Sequence, residues 1–161
     1  MPELDALYRD VILVHYRSPR GRAELPDPDL VNEGQNPLCG DEVTVAVKLA
    51  GDTFGQVHVH GRGCSISTAS GSMMAEVLAG KSRAEAERIA DAFKKMMHGE
   101  PLPAGLDAGD LDALEGVKKF PVRVKCALLP WTTLTDALKA HDAGQAHPVK
   151  PTSTEEQGGQ T

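Results

Sequence analysis

The sequence has little that would take it to a membrane or to nucleic acid. No stretch approaches the roughly 20 consecutive apolar residues of a spanning helix, and the Met1 end has no apolar signal region. Lys and Arg number 17 against 23 Asp and Glu, a formal charge of −6, and no basic stripe stands out. Nucleic-acid binders draw their affinity largely from neutralising phosphates with cations, so this balance argues against that class. A soluble chain located in the cytoplasm is expected. Aromatic residues are only 4%, so aliphatic side chains and methionine must build the core. Cysteine is scarce, odd in number at 3, and scattered over positions 39, 64 and 126. That excludes a secreted disulfide scaffold, which is shorter and carries more cysteines in even number. It also lacks the close Cys-x-x-Cys pairs usual in structural zinc modules. What is there is 161 residues, 40% hydrophobic and 25% charged, enough for one soluble domain with one core.

Periodicity orders the chain. Leu4, Leu7, Val11 and Val14 recur at helical spacing, so the first sixteen or so residues read as an amphipathic helix, ended by Ser18-Pro19-Arg20-Gly21. Residues 19–37, rich in Pro, Asp, Asn and Gly, read as an extended loop with room for one short strand. From Val43 the period changes to two. Val43, Val45, Val47 and Leu49 share one face, Ala50-Gly51-Asp52-Thr53 turns, and Phe54 to His60 alternates again, which predicts a β-hairpin with one buried face. His58 and His60 share one strand face and read as solvent-facing, opposite Val57 and Val59.

A helix carrying Met73, Met74, Val77 and Leu78 follows Cys64. Gly80 is its stop, and Ser82 caps the next helix, which bears Ile89, Phe93, Met96 and Met97. The methionine pairs read as core filler. Residues 98–110 are a Pro/Gly/Ala-rich break, Leu111 to Lys119 a short helix, and Phe120-Pro121 an interruption. Cys126 then opens a last helix faced by Leu128, Trp131, Leu134 and Leu138, with Pro130 expected to delay or kink it. This predicts a single α+β domain over residues 1–141, helices packed on one face of a small antiparallel sheet, and a disordered tail over 142–161.

On this map the cysteines gain a pattern. The loop before the first hairpin strand and the junction after the second lie at the same end of the hairpin, so Cys39 and Cys64 can be neighbours. Nothing local places Cys126 beside them, although a helix start is where dipole and free amides stabilise a thiolate. Asp41 offers an oxygen two residues from Cys39. Three thiolates and one carboxylate would satisfy a tetrahedral Zn²⁺; scattered cysteines that only fill the core are the competing reading.

Three motifs carry a resemblance. Asn36-Pro37-Leu38-Cys39-Gly40-Asp41, Gly61-Arg62-Gly63-Cys64-Ser65-Ile66-Ser67 with Ala69-Ser70, and Arg123-Val124-Lys125-Cys126 resemble, in order, the cysteine blocks of the IscU/NifU N-terminal family, over roughly residues 3–140. Within it the chain is similar to the SufU branch. The stretch between the second and third cysteines is long, around His98 to Asp110, and Lys125 stands where scaffold-type IscU proteins carry histidine. The resemblance implies one zinc held by Cys39, Asp41, Cys64 and Cys126. It also implies sulfur acceptance from a pyridoxal-phosphate cysteine desulfurase of the SufS type, serving downstream Suf cluster-assembly proteins. In that picture a desulfurase histidine replaces Cys39 on zinc, the freed Cys39 attacks the persulfide, and Arg123 holds the released thiolate or persulfide.

Other readings stand beside it. The same thiolates would suit a scaffold that assembles a [2Fe–2S] cluster and passes it on, against which Lys125 tells. His98-Gly99-Glu100 fits half of a zinc nucleoside-deaminase signature, but the Pro-Cys-x-x-Cys half is missing. A structural zinc domain acting as an adaptor would have an inert Cys39.

Overall fold

The period-two stretch from Val43 forms the middle of the molecule. A computed structural model describes residues 2–145 and 151–154. Helix α1 (Pro2–Arg17) comes first, then strands β1 (Leu30–Asn36), β2 (Asp41–Ala50) and β3 (Thr53–Arg62). Helices α2 (Ser65–Leu78) and α3 (Arg83–Met97), a 3₁₀ segment (Leu111–Lys119), helix α4 (Pro121–Asp142) and the two-residue strand β4 (Thr152–Ser153) complete the order. The sheet runs β3-β2-β1-β4, antiparallel except for the β1–β4 pair. Helices α2 and α4 lie on one face, as expected for the α+β architecture. Among the described residues no helix is long and apolar enough to cross a membrane.

Alternation decides which strand face is covered. Val45 pairs with Val59 and Val47 with Val57, all four buried, while Thr44 faces His60 and Ala46 faces His58 on the other side. His58 and His60 are half-buried, and His58 Nδ1–H donates to the Ala23 carbonyl at 2.5 Å. The segment after α1 runs along the outer edge of β3, where Val59 N–H donates to Gly21 O at 2.8 Å. An open strand edge is thereby closed to other chains. The core holds Phe54, Met73, Met74, Leu78, Ile89, Met96, Leu111 and Leu114, with Phe93 stacked on Trp131 at 4.9 Å between ring centres. All four paired methionines are buried, as core filler requires.

Four expectations change. In α1, Val14 is exposed while His15 is buried, so the covered face runs through Val11, Ile12 and His15; the side chains of Leu4 and Leu7 lie outside the described part. Buried His15 is satisfied on both ring nitrogens: Ser72 O–H donates to Nδ1 at 2.7 Å and Nε2–H donates to Asp110 at 2.9 Å. Cys126 does not open α4. Pro121 occupies the first helical position, where a missing N–H costs nothing, and Cys126 lies in the second turn. Pro130 neither delays nor ends α4 but sits inside it, removing the N–H that the Cys126 carbonyl would accept. Finally, the expected tail is not wholly without structure. Thr152 and Ser153 pair with Gly34 and Gln35, whereas residues 146–150 and 155–161 of that expectation lie outside the described residues.

Candidate metal centre

Three elements converge at one end of the hairpin. Residues Glu42 and Arg62 are paired across β2 and β3, so Asp41 and Gly63 continue side by side beyond the last pair. The β1–β2 connection is a tight turn in which Cys39 and Gly40 N–H both donate to Asn36 O, at 3.2 and 2.9 Å. Gly40 has φ +72°, a left-handed conformation glycine adopts without penalty. That turn sets Cys39 directly over the sheet end. The α4 helix crosses β1 and brings Cys126 in from the other side, Sγ to Sγ 3.6 Å from Cys39. The donor atoms of Cys39, Asp41 and Cys126 all lie within 4.8 Å of one another.

Cys64 stands beside this trio, against Asp41. It is the N-cap of α2, with its Sγ accepting the Ser67 N–H at 3.5 Å. The helix-terminus stabilisation expected for Cys126 therefore falls on Cys64 instead. Asp41, only 1% exposed, uses its two oxygens differently. Oδ1 accepts the Cys64 N–H at 2.8 Å, and Oδ2 lies 3.9 Å from Cys64 Sγ. Gly63 makes this possible, because a Cβ there would come within 2.7 Å of Asp41 Oδ1 and 2.5 Å of Ser67 Oγ. Cys126 is fully buried, and Asn36 Nδ2 donates to its Sγ at 3.5 Å.

Without metal, the two inner sulfurs share a proton unequally. Hydrogen bonding from the Cys126 thiol, helped by the Ser67 N–H and hydroxyl, lowers the Cys64 thiol to about 5 against burial and the Asp41 charge. Cys126 is pushed up by that same bond to Cys64, by burial and by Asp41, so it keeps its proton. Arg123 is exposed at the rim, its guanidinium pKa raised chiefly by the charge of Cys64. Three of the exposed large apolar residues stand close by in sequence: Leu38 next to Cys39, and Phe120 and Val122 at the start of α4.

Of the residues expected from the sequence, Cys39, Asp41 and Cys126 form the close donor trio, Cys64 lies against Asp41, and Arg123 stands at the exposed rim. His58, His60 and His98 contribute nothing to the group, and His98 Nδ1–H is taken by Lys94 O at 2.8 Å. Asn36 and Ser67 were not singled out as site residues, although both lie inside the cysteine motifs, where proximity in sequence was the available signal.

A buried carboxylate beside three sulfurs on a small α+β domain is a donor set that could hold a metal ion. The chain belongs to the NifU-like N terminal domain family, which it matches over residues 7–146. It is 42% identical to the zinc-dependent sulfurtransferase SufU of Bacillus subtilis strain 168, over 88% of this chain and 95% of that protein. It is 39% identical to the iron–sulfur cluster assembly scaffold protein IscU of Streptococcus pyogenes serotype M1, over 86% and 87%. Among solved structures, a Fervidobacterium islandicum AW-1 protein, described as a candidate iron–sulfur cluster assembly scaffold for the SUF system, superposes with a TM-score of 0.76. Its identity is 36%, over 80% of this chain and 94% of that one.

Proposed function

We propose that the chain is a zinc-dependent sulfur acceptor of the SufU type, which takes persulfide sulfur from a cysteine desulfurase for iron–sulfur cluster assembly. The observation that carries this reading is the close trio of Cys39, Asp41 and Cys126, with Cys64 against Asp41 and Arg123 at the rim. The donor set fits zinc. Two sulfurs each about 2.3 Å from one tetrahedral ion stand about 3.8 Å apart, and Cys39 and Cys126 are 3.6 Å apart. The buried Asp41 carboxylate supplies the fourth donor. Bound there, zinc would hold the sulfurs as thiolates near neutral pH with no redox chemistry of its own.

The residues of the chain then divide the work. Cys126 is fully buried, while Cys39 and Cys64 are both half-buried. Cys64 is held as the N-cap of α2, whereas Cys39 sits on a turn beside exposed Leu38, and we assign Cys39 as the sulfur that meets a partner. Its thiolate attacks the outer sulfur of the desulfurase's cysteine persulfide. The bond between the two persulfide sulfurs breaks, the desulfurase cysteine leaves as a thiolate, and the outer sulfur becomes a persulfide on Cys39 with no net oxidation. Arg123 favours the anions on both sides of this exchange. Leu38, Phe120 and Val122 give the partner an apolar footing around the reacting sulfur.

The scaffold reading is favoured by the names of relatives, among them the IscU scaffold protein of Streptococcus pyogenes and the Fervidobacterium islandicum structure. Alanine release by a SufS-type desulfurase under reductant separates the two. Strong stimulation by the zinc-loaded chain, lost in a folded Cys39→Ala variant, is the expected result. Absence of stimulation, with iron and sulfide building a coloured cluster on the protein under anaerobic conditions, would replace it with the scaffold reading.

A further inference from the structure

The inward side of β1 is polar where its neighbours are apolar. Its covered positions are Leu30, Asn32, Gly34 and Asn36, with Asn32 at 4% and Asn36 at 1% exposure. A buried amide is costly wherever one of its groups lacks a partner. Residues 152–154 contribute partners to both. Asn32 Nδ2 donates to Thr152 Oγ1 at 2.9 Å as well as to Thr133 O at 3.0 Å, and Thr152 O–H donates to Asp136 Oδ2 at 2.6 Å. Two residues on, Thr154 O–H donates to Asn36 Oδ1 at 3.0 Å. Both threonines are buried, and this strap lies past residue 146, where the family match ends.

Asn36 connects the strap to the sulfurs. Its Nδ2 donates to Cys126 Sγ at 3.5 Å, and its backbone carbonyl accepts both N–H groups of the Cys39 turn. A thiolate only accepts hydrogen bonds, so beside one the Asn36 amide must present its NH₂ group. Oδ1 then faces the strap and needs a donor. If that donor is missing, Oδ1 is left buried without a partner, and the amide loses one of the two contacts that hold its NH₂ on the sulfur.

We propose that Thr154 is a positioning residue of the metal centre. Its hydroxyl fixes the Asn36 amide with NH₂ on Cys126, and so holds the Cys126 thiolate in place for zinc. This rests on the zinc reading above and adds a residue from outside the matched family domain.

The test uses the full chain with Thr154→Val, which keeps the shape and removes the donor, and Thr154→Ser, which keeps the donor. Thr132→Val serves as a control, since its hydroxyl donates to Leu128 O at 3.1 Å within α4. Zinc affinity is read by chelator competition, and the thiolate-to-metal charge-transfer band is read on Co²⁺-loaded protein. The expected result is an affinity about tenfold lower, within the range for a residue behind a metal ligand, and an altered band for Thr154→Val only. Wild-type affinity and band in Thr154→Val would overturn the proposal, as would equal losses in Thr154→Val and Thr154→Ser, which would assign the effect to packing. A wild-type chain that binds neither zinc nor cobalt would overturn the zinc reading together with it.

Discussion

Gly63→Ala tests the centre without touching a donor. The backbone at Gly63 is not in the left-handed region, so alanine is strained there only by what its Cβ meets: Ser67 Oγ at 2.5 Å, Asp41 Oδ1 at 2.7 Å and Asp41 Cγ at 3.1 Å. Ser67 can turn its hydroxyl away. Asp41 cannot move so freely, because it is 1% exposed and its Oδ1 holds the Cys64 N–H at 2.8 Å. Displacing the carboxylate gives up a hydrogen bond to a charged group, about 1.5–3 kcal/mol. At about 1.4 kcal/mol per tenfold, zinc affinity should fall about 10- to 100-fold, the range typical of changes just behind a metal ligand. Competition against a chromophoric chelator measures this. Gly116→Ala is the control, since a Cβ there meets nothing within 4 Å. A Gly63→Ala protein that binds zinc within twofold of wild type would refute the argument that this glycine exists to admit the Asp41 carboxylate.

Three further outcomes are expected. In metal-free protein, Cys64 is depressed from the ordinary 9.0 to about 5 while Cys126 is raised. Alkylation of Cys64 should therefore be nearly constant from pH 6 to 8 and fall only as pH drops toward about 5, the linked stability being lost over that same descent from about 9; mass-mapped labelling that rises tenfold per pH unit through neutrality would contradict it. Gly34→Ala would place a methyl group on Thr133 Oγ1 and against Leu129, where α4 crosses β1. Overpacking of this kind costs about 1–3 kcal/mol, or about 2–12 °C in Tm for a chain of this size, read by thermal melting. Arg123→Ala should slow sulfur acceptance several-fold in the desulfurase assay while leaving zinc affinity within about threefold, because the guanidinium is exposed and faces the sulfurs without being a donor to metal.

Much of this protein is legible in its sequence, because period and caps act over contiguous residues. The alternation from Val43 to His60 specifies a hairpin and its buried face, since a strand puts every second side chain on one side. Ser82 accepts the Glu85 N–H at 3.2 Å, as its place before an apolar helical stripe implies. The hairpin also brings Asp41 and Cys64 together, because the paired ends of two strands cannot lie apart. In α1 the same reasoning reached the helix but not its rotation. Val14 is exposed and His15 covered because Ser72 and Asp110, 57 and 95 residues away, satisfy the imidazole.

What only the tertiary structure decided shares one physical character. Cys126 reaches Cys39 through the packing of α4 across β1, a contact 87 residues apart with no local periodicity to announce it. Arg123 depends on the same packing. β4 is two residues long, too short to show a period, and it forms because buried Asn32 and Asn36 require partners that Thr152 and Thr154 bring from 120 and 118 residues away. Sequence patterns determine which faces are apolar and where elements begin. Which distant side chain answers a buried polar group is settled only when the helices and the strap are packed on the sheet.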